Sequence, residues 1–404
     1  MRTHPIFAAL RHHRLATTLI VLQIALACAV MCNACSLIAA RWQAMQLVTG
    51  IDEASLGTLY LSGFEPGRAN DLNARMVAGL RAIPGVTAVN VVNTVPFSHG
   101  AGTVGVTLDA AGQREGGVVD VYLGTPGTLE ALGIRIVEGR APGAEDYRPV
   151  GDFFPSQANV LITRAAADHM WPGVSPLGKE IFVDKNHFRV IGVMEHLSIA
   201  RPGSMGPEET DWSVFAPSLA GPTLAGTYVI RTKPGDLPAV MHKAREAVTA
   251  LAPDAVLIRE NSDSLPALRA AHFANDRAMM SLLVGIIVTL LLVTALGIVG
   301  LASFWVQRRR KQIGIRRAIG ASRRDIVQYF QLENFFIVSM GIGAGVLLAY
   351  AASLTLMHFY EVPLLPPWYL AVGGATLWLL GQLAVLGPAL RAAAVPPVVA
   401  TRAG

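Results

Sequence analysis

Charge is scarce in this chain. Only 15% of its 404 residues are Asp, Glu, Lys or Arg, while 52% are hydrophobic; soluble domains carry about 25% charged residues. That imbalance, with a positive mean hydropathy, excludes an ordinary soluble globular protein. Cysteine is scarcer still. Cys28, Cys32 and Cys35 are the full complement, and all three lie inside one apolar run. The long stretch after them has none, which excludes a disulfide framework there. Cys32 and Cys35 form a C-x-x-C, but a thiolate is poorly stabilised in hydrocarbon and no further Cys or His completes a metal set. Positions 28, 32 and 35 instead share a helical face, where small side chains permit close helix packing.

Catalytic patterns are also missing. There is no H-E-x-x-H, no G-x-S-x-G and no acidic calcium loop. His12 and His13 sit among basic residues, and His187, His196 and His242 are scattered without ligand spacing. Residues 173–180, GVSPLGKE, imitate a phosphate-binding loop. The imitation fails where the chemistry needs it: Glu180 replaces the hydroxyl that would bind magnesium, and Pro176 removes a backbone N–H donor. No cofactor, metal or catalytic residue is expected. Nucleic acid is excluded as well, because the arginines behind the net charge of +5 flank hydrophobic segments rather than lining a soluble face.

What is present is four long apolar runs, each sufficient for the roughly 20 helical residues that cross a bilayer. The expected spans are 17–40, 278–306 with a projecting stalk, 335–359 and 368–390. The first lacks an obvious mature N-terminus after residues 39–42, so it is read as an uncleaved anchor rather than a signal peptide. Trp42, Trp305 and Trp368 fall near span ends, as interfacial aromatics do. Gly341 and Gly345 form a G-x-x-x-G in the third span, suited to close helix contact. Residues 1–16 suit a short amphipathic helix at the interface, and 391–404 form a tail.

The arginines then orient the chain. Arg2, Arg11 and Arg14 precede the first span. Arg308, Arg309, Arg310, Lys311, Arg316, Arg317, Arg323 and Arg324 lie between the second and third, while the 360–367 connection has no Lys or Arg. The positive-inside rule places both termini and the 307–334 segment in the cytoplasm. Residues 41–277 then form a large extracytoplasmic α+β domain. Its expected strands are 86–95, 118–123, 160–163, 188–193 and 227–231; its expected helices are 72–83, 164–170 and 237–251.

The cytoplasmic segment is the most informative part. Residues 308–319 are predicted to form a short basic helix, stopped by Gly320 in the left-handed conformation. Ser322 and Asp325 then have capping-box spacing for the next helix. Lipid binding would account for the arginines. It would not account for Ile313, Ile315, Ala318 and Ile319, an apolar set suited to a groove on a partner. Glu333, near the end of the third span, is expected to pair with a nearby arginine.

This segment, GIVGLASFWVQRRRKQIGIRRAIGASRRDIVQYFQLEN, resembles the signature of the FtsX/MacB permease family of ABC transporters. The usual form of that signature is R-x-x-E-I-G-I-R-R-A-L-G-A-S-R-R-D-I. The stretches LRAIPGVTAV, GTPGTLEALGIRIVEGR and NVLITRAAADHMWPGVSPLGKEIFVDKNHFRVIGV are similar to the MacB-type periplasmic core domain, and the pseudo-phosphate loop falls on its W-P-G-x-x-P-x-G-K element. The resemblance implies a bacterial inner-membrane permease working as a homodimer or with a sister permease. Its coupling helix, Ile313, Gly314, Ile315, Arg316, Arg317, Ala318, Ile319, Gly320 and Ala321, would seat in an ABC ATPase.

About 16 residues precede the first span, so the ATPase is expected on a separate polypeptide. Gln312 stands where the family usually has Glu, and the AVPPVVATR tail lacks the usual Asp-Pro. MacB-like relatives imply export of peptides, toxins or drugs, with a periplasmic adaptor and outer-membrane channel as further partners, and lipoprotein-releasing relatives imply a lipidated cargo. FtsX-like relatives imply the alternative, control of cell-wall hydrolases without transport.

Overall fold

The computed structural model describes residues 14–184, 186–360 and 365–395. Residues 1–13 of the expected amphipathic segment, residues 361–364 of the 360–367 connection and most of the C-terminal tail lie outside them. The chain divides into two compact units, residues 46–274 and residues 1–45 with 275–404.

The larger sheet of the first-named unit is built from alternation. In chain order the strands are β1 (Leu56–Ser62), β2 (Val86–Val91), β3 (Gly102–Thr107), β4 (Glu115–Gly124), β5 (Ile136–Gly139), β6 (Arg148–Pro149), β7 (Gln157–Thr163), β8 (Glu180–Val183), β9 (Asn186–Met194), β10 (Ser213–Leu219), β11 (Thr227–Thr232) and β12 (Val256–Leu257). Strands β4, β3, β8, β9, β7 and β10 pair in that order, and β10 pairs back onto β4. The six therefore close into a ring. Val119 and Val121, Val160 and Ile162, Phe188 and Val190, Val214 and Ala216 enter one core cluster, each pair two residues apart as a strand face requires. Between them Tyr122, Leu161 and Phe215 enter a second cluster with Leu197 and Ala200. With both faces covered, these strands read as continuous apolar runs rather than as alternation.

The smaller sheet has the order β12-β1-β11-β2, all antiparallel. The helices in chain order are α1 (Arg14–Met45), α2 (Ala69–Arg81), α3 (Thr128–Leu132), α4 (Arg164–Met170), α5 (Leu237–Leu251), α6 (Leu265–His272), α7 (Ala274–Arg308), α8 (Arg310–Ala318), α9 (Arg323–Tyr360) and α10 (Pro367–Ala393). Leu72, Met76 and Leu80 of α2 follow helical spacing, as do Met241, Ala244 and Val248 of α5. Both sets share a core with Leu59, Val89 and Ile230 of this sheet. The expected α+β domain between the first and second spans is what is found.

Residues 173–180 are a turn leading into strand β8 rather than a helix, so they lack the helix N-terminus a phosphate loop requires.

The base of this unit is tied by one side chain. Arg269 of α6 donates from Nη1 to Glu53 Oε1 at 2.7 Å and from Nη2 to Leu47 O at 2.7 Å. Its guanidinium carbon lies 5.4 Å from the ring centroid of Phe97. Phe97 is buried with φ +65°, a strained conformation for a bulky side chain. Arg269 thus joins the segment that follows α1 to the segment that precedes α7.

In the other unit α1, α7, α9 and α10 are each long and apolar enough to cross a membrane. Small residues set the packing. A Cβ on Gly341 would fall 2.7 Å from Ile24 Cβ, and one on Gly345 2.5 Å from Cys28 Cβ; neither could be accommodated without movement. A Cβ on Gly373 would lie 2.5 Å from Cys32 Sγ. The cysteines and the G-x-x-x-G therefore serve close helix approach, as expected. Single polar ties supplement it: Asn33 Nδ2 donates to Ala349 O at 3.2 Å, and Asn334 Nδ2 to Gly381 O at 2.9 Å. The second also gives a buried amide a partner.

Candidate functional site

The segment between α7 and α9 is built by local chemistry. Helix α7 stops at Arg308, and Arg309 (φ −99°, ψ 9°) interrupts the helical path before α8 begins. The single helix expected over 308–319 is therefore shorter and starts after a break. At its other end Gly320 adopts φ +106°. Ala321 N–H donates to Arg316 O at 3.0 Å and Gly320 N–H to Arg317 O at 3.2 Å, the paired bonds of a Schellman stop. Ser322 and Asp325 then cap α9 reciprocally: Asp325 N–H donates to Ser322 Oγ at 3.2 Å, and Ser322 N–H to Asp325 Oδ2 at 2.9 Å. Helix, sharp turn and capped helix follow from this sequence.

The nine residues of the coupling set do not share one environment. Ile313 and Gly314 are buried; Ile313 packs with Val306, Ile326, Phe330, Ala389 and Ala392. The apolar set read from sequence therefore has to be corrected, since Ile313 belongs to the core of this unit. Arg317 and Ala321 are half-buried, and Arg317 Nη1 donates to Ala393 O at 3.0 Å and Val395 O at 2.7 Å, which fastens α8 to the end of α10. Ile315, Arg316, Ala318, Ile319 and Gly320 are exposed. Ile315 is 46% and Ile319 82% accessible. With Ala318, these positions are three and four residues apart and lie on one helical face.

A buried ion pair lies at the root of the segment. Arg309 Nη1 contacts Glu333 Oε2 at 2.9 Å, with side-chain exposures of 17% and 2%. The pairing expected for Glu333 is present, and its partner is the residue that breaks the helix. Arg309 also lies 5.6 Å over the ring of Trp305. Trp305 is buried, so it is not an interfacial aromatic, whereas Trp42 and Trp368 are exposed. Nothing in the sequence distinguishes Trp305 from the other two, because its cover comes from distant residues on α1, α9 and α10. Among the described residues no group of three or more His, Cys, Asp or Glu gathers to hold a metal.

Four membrane helices with a large α+β domain inserted after the first define a class: a multi-pass membrane protein with an elaborated inserted domain. The family follows from sequence. The family description of the MacB-like periplasmic core domain matches residues 17–251, and that of the FtsX-like permease C-terminal domain matches residues 284–397. The chain belongs to the MacB-like ABC transporter permease family.

It is 28% identical over 297 residues to the macrolide export ATP-binding/permease protein MacB of Bdellovibrio bacteriovorus, covering 66% of this chain and 43% of that protein. The match to the uncharacterized ABC transporter permease YknZ of Bacillus subtilis is 22% identical over 260 residues, covering 62% and 63%. The crystal structure of the periplasmic region of MacB from Actinobacillus actinomycetemcomitans aligns with 16% identity and a TM-score of 0.35, covering 54% of this chain and 93% of that one. The chain thus spans less than half the length of the Bdellovibrio protein.

Proposed function

We propose that this chain is the membrane subunit of an ABC-type assembly that couples ATP hydrolysis by a separate cytoplasmic ATPase to movement of its outer domain. The observation that carries the reading is the exposed row Ile315 and Ala318 on α8 with Ile319 at its C-cap. Such a row, on a short helix held from behind by Ile313 and Arg317, suits a groove on a partner protein. Surrounding arginines complement an acidic rim, and their bias puts α8 and both termini in the cytoplasm. The 46–274 unit then stands in the periplasm of a bacterial inner membrane.

In this reading the ATPases close and α8 moves. The 35 residues of α7, about 52 Å at the helical rise, exceed the roughly 30 Å hydrocarbon core and carry the motion outward. The assembly is a dimer of this chain or of this chain with a sister permease. Its cargo is a peptide, drug or lipidated molecule for export, delivered through an adaptor and outer channel where these are present. The MacB-like match across the outer unit favours export over hydrolase control.

The test is co-purification. Replacing Ile315 and Ala318 together with Asp abolishes association with the ATPase while membrane insertion persists. Retained association would remove α8 as the docking element.

A further inference from the structure

Between Trp305, Glu333 and their neighbours lies a cavity of about 20 Å³, lined by Ile298, Ala302, Trp305, Phe330, Glu333 and Asn334 among others. Its walls are mostly apolar; of the polar lining residues Asn334 already donates to Gly381 O, whereas two others each carry a buried atom with no hydrogen-bond partner within the chain, the indole Nε1 of Trp305 and the Oε1 of Glu333. Both residues are at least nine-tenths buried. One is a donor and the other an acceptor. A buried polar atom without a partner is costly, most of all on a charged group in a low-dielectric interior. A space of this size accepts a single water, for which about 10–15 Å³ suffices.

We propose that this cavity binds one water, accepting from Trp305 Nε1–H and donating to Glu333 Oε1. The chain Trp305–water–Glu333–Arg309 is then a latch that fixes the coupling segment to α7 and α9. Trp305 belongs to α7, Glu333 to α9, and Arg309 is the break from which α8 departs. The latch thus meets the one point where the direction of α8 is decided. Tyr329 OH, which takes a second bond from Arg309 Nη1 at 3.4 Å, steadies the guanidinium from the same helix. Glu333 and Trp305 are positioning residues in this scheme. The functional meaning of the latch rests on α8 as the docking element, whereas its existence does not.

The experiment uses the full chain in lipid nanodiscs without any ATPase. A cryo-EM map that resolves ordered water should show a peak within hydrogen-bonding distance of the Trp305 indole nitrogen and the Glu333 carboxylate. A resolved cavity without that peak overturns the water site. Hydrogen exchange of residues 310–319 reads the latch itself. Glu333→Gln should accelerate exchange there by about tenfold, and Trp305→Phe, which keeps the ring stacking but removes the donor, by about threefold. Unchanged exchange in Trp305→Phe removes the water from the latch, and unchanged exchange in both variants removes the latch. If Glu333→Gln does not fold, the map and the Trp305 variant still decide. Separately, loss of ATPase binding on Ile315→Asp with normal exchange, or the reverse, separates this proposal from the docking role.

Discussion

The two units of this chain solve cohesion differently. The membrane unit uses the absence of side chains: Gly341, Gly345 and Gly373 let helices approach within contact distance of Ile24, Cys28 and Cys32. Its polar ties are few, and one of them, Arg309–Glu333, is a buried charge pair. The 46–274 unit uses large apolar side chains in two clusters and places its charges in networks, as at Arg269 and Asp146. Lipid offers helices no hydrophobic reason to associate, so fit and a few polar contacts must supply it. Water supplies that reason to the other unit, which leaves its charges to fix particular segments.

This contrast can be broken most severely at Gly345. Gly345→Leu would place a branched side chain where even a Cβ is 2.5 Å from Cys28 Cβ, at a cost of about 3 kcal/mol or more. The expected result is loss of the monodisperse protein peak in detergent, with Gly343→Leu as control because a Cβ there meets nothing within 4 Å. A normal profile for Gly345→Leu would contradict close packing of α1 against α9.

A smaller effect is expected at Arg269. Arg269→Ala leaves Glu53, at 17% side-chain exposure, without its cation and should destabilise the 46–274 unit by about 2–3 kcal/mol. Thermal unfolding of the full chain measures it. Arg135→Ala removes an exposed pair with Glu195 and should leave the midpoint unchanged. Equal effects from the two would mean that the Arg269 network is no more than surface charge.

The smallest effect is pH-dependent. Asp146 has a fully buried side chain. The Arg140 guanidinium first, then Asn159 and the Gly143 N–H, hold its carboxyl down to about 2, from an ordinary value of 3.8. A native value below the unfolded one means a contribution complete above about pH 4 and lost as pH falls through about 2. Asp146→Asn should therefore lower the unfolding midpoint at neutral pH and flatten its dependence between about pH 4 and pH 2. Parallel pH profiles for the two proteins would exclude Asp146 as a source of acid sensitivity.

Local chemistry was legible from sequence and distant pairing was not. The α8–α9 turn could be read because Gly320, Ser322 and Asp325 act on neighbours within a few residues. Helix α5 was legible from its helical spacing, and helices at α2 and α4 were also expected, the first shifted by a few residues. Strands β1, β3, β5, β6, β8, β10 and β12 were not foreseen. β3 reads GTVGVT, with two glycines that weaken any strand signal, and β10 contains Pro217; ring closure rather than propensity orders these two. At the site, the same limit hid the inward turn of Ile313 and the reach of Arg317 to Ala393. A partner for Glu333 could be expected, but that it is Arg309 depends on how α7 ends.

The closed ring of six strands has a chemical consequence. A sheet joined to itself offers few backbone donors and acceptors to a stray strand. Its seam is narrow, one residue pair, Thr107 opposite Phe182, yet no covalent staple reinforces it, because every cysteine of the chain lies at 28, 32 or 35. The 46–274 unit accordingly has no thiol chemistry of its own. Thiol reagents and disulfide-forming machinery have nothing in it to act on, and its maturation requires no disulfide bond.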